Sequence, residues 1–193
     1  GLQLAIASSD GHTTVLSFDD DPDSKERWRV ETWPKESLAH TGGVFAVCWA
    51  PAACTSADGK IKLAPRRLVT GGADSQVRIW RHDKLTNAWV DEQTLPAQHT
   101  DWVRDVAWRP NVGIPINTIA SCAEDGTLVI WKQEMAGQKW EMQDRIQLSA
   151  SAWQLSWSVT GSILAVSTSS NQVLLYKESL GGRWESVEAI DEG

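Results

Sequence analysis

Apolar and polar residues alternate in short runs along the whole chain, and nowhere do they hold the 3.6-residue spacing of an amphipathic helix. The runs recur. His40-Thr-Gly-Gly-Val-Phe-Ala-Val-Cys-Trp49-Ala-Pro51 aligns with His99-Thr-Asp-Trp-Val-Arg-Asp-Val-Ala-Trp108-Arg-Pro110, and more weakly with Leu148-Ser-Ala-Ser-Ala-Trp-Gln-Leu-Ser-Trp157. The shared core, apolar-x-x-apolar-x-Trp, predicts a strand with two unlike faces. A second unit follows each copy: Leu68 to Trp80, Ile119 to Trp131 and Leu164 to Tyr176, with a fourth at Leu4 to Leu16. Each predicts two short strands joined by a tight turn. A third unit is a tryptophan that opens another alternating run, at Trp28, Trp89, Trp140 and Trp184.

Four strands in each repeat of about 45–60 residues approach the ~40–45 residues of a WD-type blade plus insertions. The fold expected is all-β, a WD-repeat β-propeller in one segment, 1–193, without an interdomain linker. Its parts are a partial blade, 1–33, and blades at about 44–95, 102–148 and 152–190, or three and three-quarter blades. The chain thus reads as the C-terminal part of a propeller that starts in mid-blade. Pro51 to Pro65 and Asn111 to Asn117 read as loops inserted at the same place in two repeats.

Within the repeats, His40, Thr70, Asp74 and Trp80 form one candidate structural tetrad, and His99, Ser121, Asp125 and Trp131 a second. A carboxylate held at a tight turn needs a hydrogen-bond donor, which a histidine can be. The other imidazole nitrogen can meet the hydroxyl, and the hydroxyl can meet the indole N–H, which only donates. Ser, His and Asp are also a hydrolase's equipment. A set that recurs once per repeat fits a structural device better than a single active site. Ile6 and Leu16 replace two members in the first copy, and Leu148, Val166, Ser170 and Tyr176 replace all four in the last.

His12 and His82 lie outside this register and read as turn or surface residues. Asp19-Asp20-Asp21 reads as a solvated loop. Lys60, Lys62, Arg66 and Arg67 form one basic cluster, read as a solvated loop, with contact to an acidic partner surface as the alternative. The four strand-opening tryptophans are expected to lie flat on the rims of their own blades. Any exposed indole among them becomes an interface candidate.

Composition narrows the function classes. The 193 residues carry net charge −7, which disfavours broad nucleic-acid binding. No apolar run approaches a membrane span, and Gly1 to Asp10 lack the pattern of a signal peptide. Cys48, Cys54 and Cys122 have neither zinc-site nor disulfide-framework spacing. Together with the absence of a glycosylation sequon, this points to a reducing, cytosolic or nuclear compartment. No phosphate loop, nucleophile elbow or metal-binding cluster occurs, so no cofactor and no metal are expected. Twelve of the fifteen aromatic residues are tryptophan, which makes the repeat the dominant signal.

The stretch His99 to Pro110, the run Gly113 to Cys122, Val47-Cys-Trp-Ala-Pro51, Trp153 to Ser158, Leu164 to Ser167 and the Trp184 strand resemble the Sec-thirteen family, over nearly the whole chain and in order. That resemblance implies an open six-bladed propeller and a non-enzymatic scaffold of the coat protein complex II cage and the nuclear pore outer ring. It implies protein partners: a Sec thirty-one-like coat subunit, or a helical nucleoporin of the Y-shaped complex, that contributes a β-segment. It also implies a cytoplasmic location, at the cytosolic face of the endoplasmic reticulum, on transport vesicles and at the nuclear pore. Membrane association would be peripheral, through the coat, without insertion and without direct nucleic-acid contact. The family joins a nutrient-sensing assembly as well.

Two further classes remain open: a WD-repeat adapter that recruits peptides over the central channel, and an enzyme. The last repeat carries its own fourth strand, Trp184 to Ile190, so the expectation is that a partner completes the ring. Trp184, Ile190 and Tyr176 are its candidate interface residues.

Overall fold

The computed structural model describes residues 2–21, 27–34, 37–55, 61–111 and 116–187. Among them there is no helix. β1 (Gln3–Ala7), β2 (Thr13–Phe18) and β3 (Trp28–Trp33) form a three-stranded antiparallel sheet. β4 (Val44–Trp49) begins the second sheet, a short ribbon of β5 (Ala53–Thr55) and β6 (Ile61–Leu63) interrupts it, and β7 (Arg67–Gly72), β8 (Val77–Asp83) and β9 (Ala88–Thr94) complete it. β10 (Val103–Trp108), β11 (Asn117–Ala123), β12 (Thr127–Gln133) and β13 (Glu141–Gln147) form the third. β14 (Ala152–Trp157), β15 (Ile163–Thr168), β16 (Val173–Glu178) and β17 (Trp184–Val187) form the fourth. β4 lies against β10 and β10 against β14, so the sheets converge on their first strands in an open propeller-like array.

Because successive side chains in a strand point to opposite faces, each sheet offers two faces, and each gap between sheets is a core. Val15, Trp33, Leu68, Trp80 and Trp89 fill the gap between the first and second sheets. Val69, Ile79, Val106, Trp108, Ile119 and Trp131 fill the next. Leu128, Ile130, Leu155, Leu164, Tyr176 and Trp184 fill the third. The third sheet is covered on both faces, and every residue of β11 is buried.

The turns β1–β2, β7–β8, β11–β12 and β15–β16 share one feature. The residue after Asp10, Asp74, Asp125 or Ser170 takes a left-handed backbone: Gly11, Ser75, Gly126 and Asn171. Glycine has a second reason at two of these. A Cβ on Gly11 would lie 2.6 Å from the His40 carbonyl oxygen, and one on Gly126 would lie 3.0 Å from that of Ala150. The carbonyls of these turns hold the segments entering the next sheet, Gly11 accepting from Ala39 N–H and Gly126 from Leu148 N–H, each at 2.8 Å.

Several expectations change. Part of the stretch Pro51 to Pro65 is a paired ribbon and not a plain loop. The central part of the second inserted loop and Lys60 lie outside the described residues. Three of the strand-opening tryptophans, Trp89, Trp140 and Trp184, are buried in the cores between sheets. Trp140 meets Trp108, and Trp184 meets Trp157, edge to face at 5.3 Å, while Trp89 lies tilted against Trp49 at 5.9 Å and stacks on Trp33 of the first sheet at 4.7 Å. Indoles prefer edge contacts, and the first-strand tryptophan of each of these sheets supplies one. Trp28 alone of the four is exposed, against Phe18. His82 is buried beside Trp89, not at the surface.

Arg67 is 7% exposed, not solvated. It pairs through two nitrogens with Glu92 and reaches Gln133 of the third sheet at 3.3 Å. A planar guanidinium suits such a two-sided contact.

Ser75 carries the left-handed turn with a Cβ, at φ 61°. Ser75→Gly is expected to stabilise the protein by about 0.5–1 kcal/mol, read by chemical denaturation. No gain would mean that the turn is not strained.

Candidate functional site

Each of the two middle sheets contains a hydrogen-bond chain from a buried indole to a turn carboxylate. In the second sheet, Trp80 Nε1–H donates to Thr70 Oγ1 at 2.8 Å. His40 Nε2 lies 2.8 Å from the same hydroxyl, and His40 Nδ1 lies 2.7 Å from Asp74 Oδ1. The indole can only donate, so the Thr70 oxygen accepts from it and the Thr70 O–H donates to His40 Nε2. Nδ1–H is then left to donate to Asp74. His40 and Thr70 are fully buried. Burial raises the Asp74 carboxyl pKa, but the His40 contact, the Gln76 N–H and the Arg78 charge outweigh it and hold it below the usual carboxylate value.

The third sheet lengthens the chain by one hydroxyl. Trp131 Nε1–H donates to Ser121 Oγ at 2.9 Å, and His99 Nε2 lies 2.7 Å from that oxygen. His99 Nδ1 does not bond Asp125 directly. It meets Thr127 Oγ1 at 2.6 Å, and Thr127 donates to Asp125 Oδ1 at 2.6 Å. Thr100 N–H and Oγ1 donate to the other carboxylate oxygen. These donors outweigh burial and hold the Asp125 carboxyl low. Burial dominates at His99, outweighing the Asp125 charge 4.0 Å away, and pushes its pKa down to about 4.

Thr127 is a member that the sequence reading missed. The repeat alignment carries the signal, because Thr127 stands two residues past Asp125 where Gln76 stands two past Asp74. In the fourth sheet Leu148, Val166 and Tyr176 are buried apolar side chains. Ser170 is exposed and bonds only the neighbouring Thr168 and Gln172. The hydroxyls next to the histidines are saturated by indole and imidazole inside the core. They have no path to a substrate, so the arrangement ties strands together and does not present a nucleophile.

Other polar ties join sheets. Asp105 on β10 accepts the Leu155 N–H of β14 at 2.7 Å, and burial raises its carboxyl pKa. Arg109 crosses from the third sheet to the fourth, where it meets the Gly161 carbonyl at 2.6 Å and Glu178 at 2.9 Å. No group of histidine, cysteine and carboxylate side chains able to hold a metal occurs among the described residues.

The end sheets each leave one face open. On the first sheet, cross-strand neighbours Leu4, Leu16 and Val30 lie on that face, with Ile6 and Trp28 exposed beside them. On the fourth, Ala165, Leu175 and Val187 form the corresponding row, flanked by Ile163 and Val173. Val173 is 66% exposed, Val187 41% and Leu175 38%.

This corrects the interface candidates. Tyr176 and Trp184 are only 6% and 4% exposed and point the other way, toward the third sheet. They are one position out of phase with the open face, and a one-residue step in a strand reverses the face. Ile190 lies outside the described residues.

The first strand of each four-stranded sheet is bulged at one repeated place, which sets Phe45, Arg104 and Trp153 out of register. Arg104 lies over the rings of Phe45 and Trp102 at 5.9 and 5.3 Å and bonds Glu124 at 2.5 Å. Trp102 and Trp153 are exposed.

The family described as WD domain, G-beta repeat (WD40) matches residues 33–81 and 90–132. The chain is 37% identical over 192 residues to the human Protein SEC13 homolog, covering 96% of this chain and 57% of that protein. It is 39% identical over 189 residues to the Protein SEC13 homolog of Drosophila melanogaster, covering 95% and 51%. Against the Protein transport protein sec13 of Aspergillus clavatus it is 38% identical over 196 residues, covering 100% and 62%. The chain thus spans a little over half the length of these curated relatives.

Removing the Asp125 carboxylate leaves Thr127 and the Thr100 N–H without an acceptor. Asp125→Ala is expected to cost about 1–3 kcal/mol, and Ser170→Ala less than about 0.5 kcal/mol. Equal losses on chemical denaturation would refute the assignment of a pinning role to the chain.

His99 is neutral when folded and titrates near 6.5 when unfolded. Its contribution to stability is therefore complete above pH 6.5 and lost as pH falls toward 4. His99→Asn should flatten the fall in stability across that window by up to about 1.4 kcal/mol per pH unit, measured as denaturation midpoints at each pH. An unchanged slope would contradict a neutral buried imidazole.

Proposed function

The chain belongs to the SEC13 family of WD40-repeat proteins, and from that premise we propose that it is a non-enzymatic scaffold segment of a vesicle coat in protein transport. The partner is a long helical protein that donates a β-segment: a Sec thirty-one-like subunit in the coat, or the helical nucleoporin of the Y-shaped complex at the nuclear pore. The site of action is the cytosolic face of the endoplasmic reticulum, its transport vesicles and the pore. Attachment to membranes is peripheral, through the coat. No helix of the described residues is long and apolar enough to cross a membrane.

One observation carries this reading. The fourth sheet presents Ile163, Val173, Leu175 and Val187 on an open face, although β17 already occupies its fourth-strand position. Apolar patches of this kind mark contact surfaces. An added sheet packing face to face would cover it as the other three gaps are covered, with an interface on the order of 2,000 Å².

A second reading, a peptide-recruiting adapter, is favoured by the bulged positions. Bulges re-aim side chains, and Phe45, Arg104 and Trp153 lie on the converging first strands with Trp102 beside them.

One experiment separates the two. In the intact protein, Val173→Glu with Leu175→Glu is expected to abolish a stoichiometric complex with the helical partner on size-exclusion chromatography, while melting stays within about 0.5 kcal/mol of the parent. Trp153→Ala should leave that complex intact. The scaffold reading fails if the charged pair leaves the complex whole. The adapter reading gains if Trp153→Ala alone removes binding.

A further inference from the structure

Two guanidinium groups in this chain lie over the tryptophans that open outer strands, and they differ in one respect. Arg109 lies 5.5 Å from the Trp184 ring and 5.7 Å from Trp157. Its donors are met by the Gly161 carbonyl and the Glu178 carboxylate. Arg66 lies 5.3 Å from the Trp89 ring. Its Nε and Nη2 are buried and have no hydrogen-bond acceptor. Glu31 on β3 is the carboxylate nearest in charge, but its oxygens face Arg29 Nη2 at 3.2 Å and Trp89 Nε1 at 3.3 Å. An unmatched guanidinium donor is costly, and a carboxylate is its best acceptor.

Arg66 also lines a groove of about 430 Å³ beside the β5–β6 ribbon. Its other walls include Trp49, Pro51, Leu63, Pro65 and Lys84, and among the described residues no carboxylate lines it. Arg67, the remaining cation of the wall, is committed to Glu92. The groove therefore combines an apolar floor with two cations, in a chain of net charge −7. The Arg66 side chain is half-buried, so the residue is partly accessible from the groove that it lines.

We propose that this groove docks an acidic, apolar segment of a partner protein, whose carboxylate pairs with Arg66 and whose neighbouring apolar side chain rests on Trp49 and the two prolines. Binding supplies the acceptor that Arg109 already has and Arg66 lacks. Lys84 adds charge complementarity, which raises the association rate and makes it salt-dependent. The groove belongs to the second sheet. It is separate from the open face of the fourth, so the helical partner and this segment can bind together.

The test uses the intact protein as bait for a phage-displayed library of random twelve-residue peptides, followed by fluorescence anisotropy with the recovered peptides. The expected result is enrichment of Glu or Asp next to Leu or Phe. Arg66→Gln should weaken binding about tenfold or more, and so should replacing the peptide's Glu with Gln. Lys84→Glu, at an exposed position, checks the site without touching the core and should weaken binding several-fold. The complex with the helical partner should survive both variants.

Four outcomes would overturn the proposal. They are no acidic enrichment, binding indifferent to both Arg66→Gln and Lys84→Glu, competition by millimolar inorganic phosphate equal to that by the peptide, or self-association of the protein through the groove on sedimentation.

Discussion

A small twisted sheet that is apolar on both faces cannot stand alone in water, and this constraint organises the whole chain. Burial of apolar surface is the dominant gain on folding, and a four-stranded sheet has no interior of its own in which to obtain it. Each sheet must therefore be a wall of two cores. The second and third sheets meet this condition through Leu68 and Trp80 on one side, Ile79 and Val106 between them, and Leu128 and Ile130 on the far side. The first and fourth meet it on one face only. Their open rows, Leu4-Leu16-Val30 and Ala165-Leu175-Val187, follow from the same strand alternation that fills the gaps.

The polar ties follow the same grading. The second sheet holds a direct His40–Asp74 contact, the third inserts Thr127 between His99 and Asp125, and the fourth replaces the chain with Leu148, Val166 and Tyr176. A buried polar chain is stabilising when every donor has an acceptor, and costly otherwise. Losing one member therefore costs more than replacing the whole chain by apolar side chains. Between sheets the ties run through polar side chains: Arg67 to Gln133, Asp105 to the Leu155 amide and Arg109 to Glu178. Arg66, over Trp89 of its own sheet, keeps two buried donors without an acceptor, which marks its groove.

The strand pattern and the two tetrads were legible in the sequence because period-two alternation and a recurring His, hydroxyl, Asp, Trp order are local signals. What the sequence hid was nonlocal. Thr127 sits in plain view after Asp-Gly, but its role depends on how far His99 lies from the carboxylate, 4.0 Å at closest. Tyr176 and Trp184 read as flank residues because they are large and apolar. Their phase relative to Leu175 and Val187 decides which gap they enter, and only the pairing register reveals it. Arg67 read as solvated because its partner, Glu92, is far along the chain, and His82 read as a turn or surface residue because its burial depends on the β8–β9 pairing that sets it opposite Trp89.

The central claim is that the fourth sheet's open face is a seat for another protein. Hydrogen exchange of the intact protein, alone and with the proposed helical partner, tests it most directly. A face-to-face sheet should slow exchange at the β16 and β17 amides, Val173–Glu178 and Trp184–Val187, while amides of β11, already enclosed, stay unchanged. Protection that rises elsewhere and leaves β16 and β17 as they were would contradict the account.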